Sequence, residues 1–100
     1  MRGLEFYQDD AGSPKARGRD QRLATYLETD VQDSTEIARE LVACLADQTF
    51  RGDITGNAHS LTISAKTATI ESLYDDDMPA RRLSRKQLHD EIKRWLIFIS

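Results

Sequence analysis

Ser60-Leu61-Thr62-Ile63-Ser64 and Thr67-Ala68-Thr69-Ile70-Glu71-Ser72 each alternate apolar and polar residues, and only Ala65-Lys66 lies between them. A period of two is the mark of a strand with one buried and one solvated face. A two-residue gap forces a tight reversal, so these segments are expected as an antiparallel hairpin, although Ala-Lys is not a favoured pair at such a turn. Any fold for this chain has to be built around that hairpin.

The flanking residues supply the rest. Leu4-Glu5-Phe6-Tyr7 alternates and reads as a short strand. Asp9-Asp10-Ala11-Gly12 has turn chemistry: aspartates that bond their own backbone, then a glycine able to take positive φ. Pro14 to Arg19 fits a polar edge strand, since proline cannot donate to a central ladder. Asp20 can cap a helix to about Thr29 with Leu23, Tyr26 and Leu27 on one face. A second helix is expected near Asp33-Ser34, with Asp33 and Glu36 as an N-terminal capping pair, and Ile37, Leu41, Cys44 and Leu45 as its apolar stripe. Thr49 to Gly56 breaks the pattern with two glycines. The final helix carries a Ser84/Gln87 capping box, a Leu83/Leu88 staple and a stripe of Leu88, Ile92, Trp95, Leu96 and Ile99. The order β(β)ααββα predicts an α+β fold: a single domain spanning residues 1–100, with an antiparallel sheet of three to four strands and three helices.

Size and charge narrow the function. One hundred residues, 39% hydrophobic and 31% charged, suit one modest core. The run Trp95 to Ile99 is far below the roughly 20 apolar residues needed to span a bilayer. The N-terminus lacks an apolar core of signal-peptide length. With one cysteine, Cys44, a cytoplasmic protein is expected. The net charge of −3 is unevenly spread: residues 23–77 carry −8, whereas residues 78–100 carry +4. Such an acidic segment repels nucleic acid and attracts a basic partner.

The densest acidic run is Asp75-Asp76-Asp77, four residues before Arg81-Arg82. It fails as a calcium loop, because the sixth position holds Ala80 where a turn glycine is needed. Two histidines, His59 and His89, and a lone cysteine make no zinc set. His89 is flanked by Asp90 and Glu91, which are expected to face away from it. Neither histidine is expected to be catalytic, and no metal or cofactor is expected. Cys44 sits on an apolar stripe and reads as a core residue. Arg51-Gly52-Asp53 matches an adhesion tripeptide but reads as a turn, and Gly52 and Gly56 lack the rest of a phosphate-binding pattern. Arg81, Arg82, Arg85, Lys86, Lys93 and Arg94 make the last helix basic, and they are expected to solvate its outer face, with Arg81 and Arg82 near the aspartates. Few aromatics accompany them for base stacking.

Thr55-Gly56-Asn57-Ala58-His59-Ser60-Leu61-Thr62-Ile63 with Ile70-Glu71-Ser72-Leu73-Tyr74, the opening Glu5-Phe6-Tyr7 and Asp10-Ala11-Gly12, and the helix Leu23 to Leu27 with Asp30-Val31-Gln32 together resemble immunity proteins of contact-dependent growth inhibition systems. More faintly they resemble YacL-like small bacterial proteins. The resemblance implies a non-enzymatic cytoplasmic protein that binds the C-terminal nuclease domain of a cognate secreted toxin, often a tRNase, and occludes its active site or substrate surface. No binding motif is carried over by position. On local physics the toxin-binding candidates are Asp75, Asp76, Asp77, Tyr74, Glu71 and Asp53, with Glu36 and Glu40 as a second group. Tyrosine is enriched at binding hot spots. Two other expectations remain: a small nucleic-acid-associated regulatory module using the basic C-terminal helix without membrane contact, and a small enzyme using the aspartates with a metal.

Overall fold

In the computed structural model, residues 4–74 and 79–100 are described. Their elements are β1 (Glu5–Gln8), β2 (Pro14–Arg17), α1 (Gln21–Tyr26), a π-helical segment (Leu27–Val31), α2 (Thr35–Ala46), β3 (Gly52–Thr55), β4 (His59–Ile63), β5 (Thr67–Ser72), β6 (Arg81–Ser84) and α3 (Arg85–Ile99). The strands form two antiparallel sheets, β1-β2 and the meander β3-β4-β5-β6. The fold is α+β with one apolar core.

The hairpin forms as the alternation demands. β4 pairs β5 from His59↔Ser72 to Ile63↔Ala68, and Ser64 closes the two-residue loop by donating to Thr67 O at 2.9 Å. Leu61, Ile63, Ala68 and Ile70 point inward against Leu41, Leu45, Leu88, Ile92 and Trp95, all buried. In the β1-β2 turn, Asp9 Oδ1 accepts from the Ala11 and Ser13 amides at 3.0 and 2.9 Å, and Gly12 takes φ +83°. Phe6 of this hairpin meets Trp95 edge to face at 5.0 Å, which ties it to α3.

Several expectations change. The one expected sheet is two: β1-β2 stands apart, and the β4-β5 hairpin is flanked by two further strands. β3 lies inside the stretch read as a break, and β6 takes Arg81 to Ser84, read as the approach to the last helix. Both are four residues long, and β6 opens on two arginines, so local propensity is weak. The exposed flanks of the β4-β5 hairpin are what recruit them. The first helix does not run evenly to Thr29. It widens after Tyr26 into the π segment, where the Gln32 amide donates to Leu27 O at 2.7 Å. Gln32 then leaves at φ +55°, which is unusual for a residue with a side chain. Its carbonyl accepts from the Trp95 indole at 2.7 Å, so the core side chain fixes that exit. Helix α2 is capped by Ser34, whose hydroxyl accepts from the Ile37 amide at 3.1 Å, rather than by Asp33. The Ser84/Gln87 box of α3 is present in full, and Leu83 and Leu88 are buried beside it. No helix among the described residues is long and apolar enough to cross a membrane.

Candidate functional site

The strand register sorts the meander into two faces. One row across the outer face reads Asp53, Thr62, Thr69, Arg82, and the next reads Thr55, Ser60, Glu71. Asp53, Thr55, Thr62, Glu71 and Arg82 are exposed. Asp53 and Glu71 therefore share this face, two strands and one residue pair apart, on the order of 12 Å between Cα atoms. Tyr74, two residues beyond β5, is 82% exposed, with Leu73 beside it also exposed. Three of the expected binding residues, Tyr74, Glu71 and Asp53, thus lie on accessible surface around one sheet. Asp75, Asp76 and Asp77 lie outside the described residues. Glu36 and Glu40 are exposed on α2, away from this face in sequence.

At one end of the inner face the apolar pattern gives way to a buried polar network. His59 starts β4 on the same side as Leu61 and Ile63 and is 1% exposed. Asp30 comes from the π segment, 6% exposed, and Arg22 from α1, 5% exposed. Asp30 Oδ1 lies 2.9 Å from His59 Nδ1 and accepts from the Thr29 hydroxyl at 2.7 Å. Its Oδ2 accepts from the His59 amide at 3.1 Å, and the Ala58 amide donates to both oxygens at 3.3 and 3.4 Å. Arg22 Nη1 lies 3.2 Å from His59 Nε2. A guanidinium can only donate, so these partners assign Nε2 as acceptor and place the ring hydrogen on Nδ1, toward Asp30. Both ring nitrogens are engaged and the ring is sealed, which leaves no position for a general base to meet a substrate. The network instead satisfies a buried carboxylate with hydrogen bonds and locks β4 to the π segment. Gly56 completes it: a Cβ there would stand 2.1 Å from Asp30 Oδ2, so only glycine lets the backbone approach.

Of the basic residues near the last helix, Arg82, Lys86, Lys93 and Arg94 are exposed as expected and Arg81 is half-buried, but Arg85 is not solvated. Arg85 is 5% exposed, and its two terminal nitrogens donate to the carbonyls of Phe50, Ser64, Cys44, Leu45 and Asp47 at 2.7 to 3.2 Å. Its Nε is buried without a hydrogen-bond partner among the described residues. Cys44 and Leu45 end α2, which has no basic residue in its last turn, so Arg85 supplies the positive group that this helix terminus lacks. Arg81 pairs with Asp20 at 2.8 Å, Lys86 with Asp90 at 3.2 Å, and Arg94 with Glu91. His89 also meets Asp90, at 3.0 Å, so that carboxylate turns toward the histidine rather than away. Hydrogen bonds from His89 first, and then Lys86, hold the Asp90 carboxyl below its ordinary value. Cys44 is half-buried and packs against the core, as its stripe implied, whereas Ile37 is 40% exposed.

Asp30 and Arg22 do not stand out in the sequence, yet a signal for them exists. Alternation through Leu61 and Ile63 places His59 inward, and an inward histidine needs polar partners. Among the described residues no group of three or more His, Cys, Asp or Glu is arranged to hold a metal ion. Comparison of the chain with family models, with curated proteins and with solved structures finds no match in any of the three.

Proposed function

We propose that this chain is a non-enzymatic binding protein of the immunity type, which occupies the nucleic-acid surface of a basic nuclease toxin domain in the cytoplasm. The observation that carries the reading is the outer sheet face, where Asp53 and Glu71 stand exposed in one plane beside the exposed Tyr74. A polar sheet face bearing two spaced carboxylates, with Arg82 on its far strand, offers a phosphate-binding cleft the charges it normally meets on nucleic acid. The acidic −8 segment extends that field and would speed association with a basic partner. A tight inhibitor of this kind buries on the order of 1,600 Å² in total. The rival nucleic-acid reading is weakened by its own residues, because Arg85 is engaged by carbonyls and Arg81, Lys86 and Arg94 hold carboxylates.

The test is capture of the C-terminal domain of a secreted toxin encoded next to this chain. Co-purification is expected, with loss of about 100-fold or more in affinity for Asp53→Lys/Glu71→Lys, since like charges at an interface cost several kcal/mol. The triple change Asp75→Lys, Asp76→Lys, Asp77→Lys is expected to act the same way. Unchanged affinity in both variants would sink the assigned surface. Salt-sensitive binding of the lone protein to RNA at physiological ionic strength would favour the regulatory module instead.

A further inference from the structure

A half-open cavity of about 560 Å³ lies between α2 and β3. Ile37, Leu41 and Cys44 recur along one side of α2, and Ile54 of β3 and Phe50 face them, so the walls are largely apolar. Polar side chains line it as well. Tyr26 borders the cavity and is 3% exposed, yet its hydroxyl makes no hydrogen bond among the described residues and is not sealed off from solvent. Asp30 also lines the cavity, with both oxygens engaged by the His59 network, and Glu40 lines it from α2 and is exposed. Burial first, and then the charge of Asp30, hold the Tyr26 phenol well above its ordinary value, so it stays neutral. Water can complete this phenol in the free protein, so an occupant that covers it without a hydrogen bond would leave it buried and unpaired.

We infer that this cavity is an anchor site for one cation-tipped side chain, a lysine or arginine, of the protein partner. The long apolar stem of such a residue matches the Leu41, Cys44, Phe50 and Ile54 walls. Its head meets the phenol oxygen as acceptor and the Glu40 carboxylate as counter-charge. An anion is disfavoured by Asp30 and Glu40, and a wholly apolar group would leave the phenol unpartnered. The inference rests on the partner-binding reading above and adds to it a specific contact, at the β3 edge where Thr55 borders both the cavity and the outer sheet face.

The probe is n-butylguanidinium, followed by amide chemical shifts of the full chain, with uncharged n-butylurea as the matched control. Saturable shifts at Gly56, Asn57 and Cys44 are expected with the cation, at millimolar half-saturation, because an isolated side chain brings none of the remaining interface. Butylurea is expected to bind about tenfold more weakly or worse, and Tyr26→Phe and Glu40→Gln are each expected to weaken the cation by about tenfold, the scale of one hydrogen bond to a charged group. Tyr26→Phe removes an unbonded hydroxyl, so unchanged thermal unfolding serves as its folding control. Equal binding of butylurea, shifts centred elsewhere, or no saturation overturns the anchor. Half-saturation below about 10 μM would mark a resident small-molecule site and overturn the assignment to a protein partner. If the probe fails while Asp53→Lys/Glu71→Lys still abolishes toxin capture, the anchor falls and the outer face stands; the opposite result keeps the anchor and discards the outer face.

Discussion

The two faces of the four-stranded sheet are made by alternate residues of the same strands, yet they obey different rules. On the outer face Asp53, Thr62 and Glu71 meet water. On the inner face His59 shares β4 with Leu61 and Ile63, and its polar atoms have to find Asp30 and Arg22 before the sheet can close. Charge outside is available to a partner. Charge inside is consumed by the fold. The same residue type therefore signals binding in one place and architecture in the other, and burial decides which.

Asp30→Ala is the hardest blow to that contrast. It strips acceptors from Thr29, Ala58 and two atoms of His59, the last two fully buried. A loss of about 3–5 kcal/mol in urea unfolding is expected. A loss below about 1 kcal/mol would mean the network contributes little. Gly56→Ala drives a Cβ into the same carboxylate and is expected to cost about 2 kcal/mol, again by urea titration. Wild-type stability in that variant would show that the loop can shift aside.

On the outer face, Asp53→Lys/Glu71→Lys is expected to change stability by less than about 0.5 kcal/mol per site, even as it abolishes partner capture. Destabilisation well beyond that would make these carboxylates part of the architecture as well. The smallest effect is one of pH. The Thr49 hydroxyl and then its amide hold the Asp47 carboxyl below its ordinary 3.8. Because the folded pKa is depressed, this contribution is present above 3.8 and fades as pH falls through the folded value. Thr49→Ala should thus lower the thermal midpoint slightly at about pH 6, with the difference from wild type shrinking at about pH 2.5. A gap that widens in acid would reverse the assignment.

What could be read from the sequence follows from how local each signal is. The β4-β5 hairpin and the Ser84 capping box are set by residues within a few positions of one another, and both are present. Strands β3 and β6 exist because β4 and β5 offer them edges, so four weak residues carry no pattern of their own. A basic residue at a helix start is usually solvated. The burial of Arg85 depends instead on carbonyls 41 and 40 positions upstream, which periodicity cannot reveal. Of the candidate binding residues, Asp53 and Glu71 do share one face of the meander, because strand parity sends both to the wet side once β3 is known.

Arg85 is also expected to set when the far end of α2 closes. The last carbonyls of α2 are satisfied by a side chain that must arrive from the β6-α3 junction, after the whole meander has been laid down between them. Closing that distance costs loop entropy before any contact returns it. Helix α2 can nucleate early from its Ser34 cap, but its far end should fray until α3 docks. In pulsed hydrogen exchange during refolding, the amides near Leu45 should gain protection together with those of α3, and later than those near Ile37.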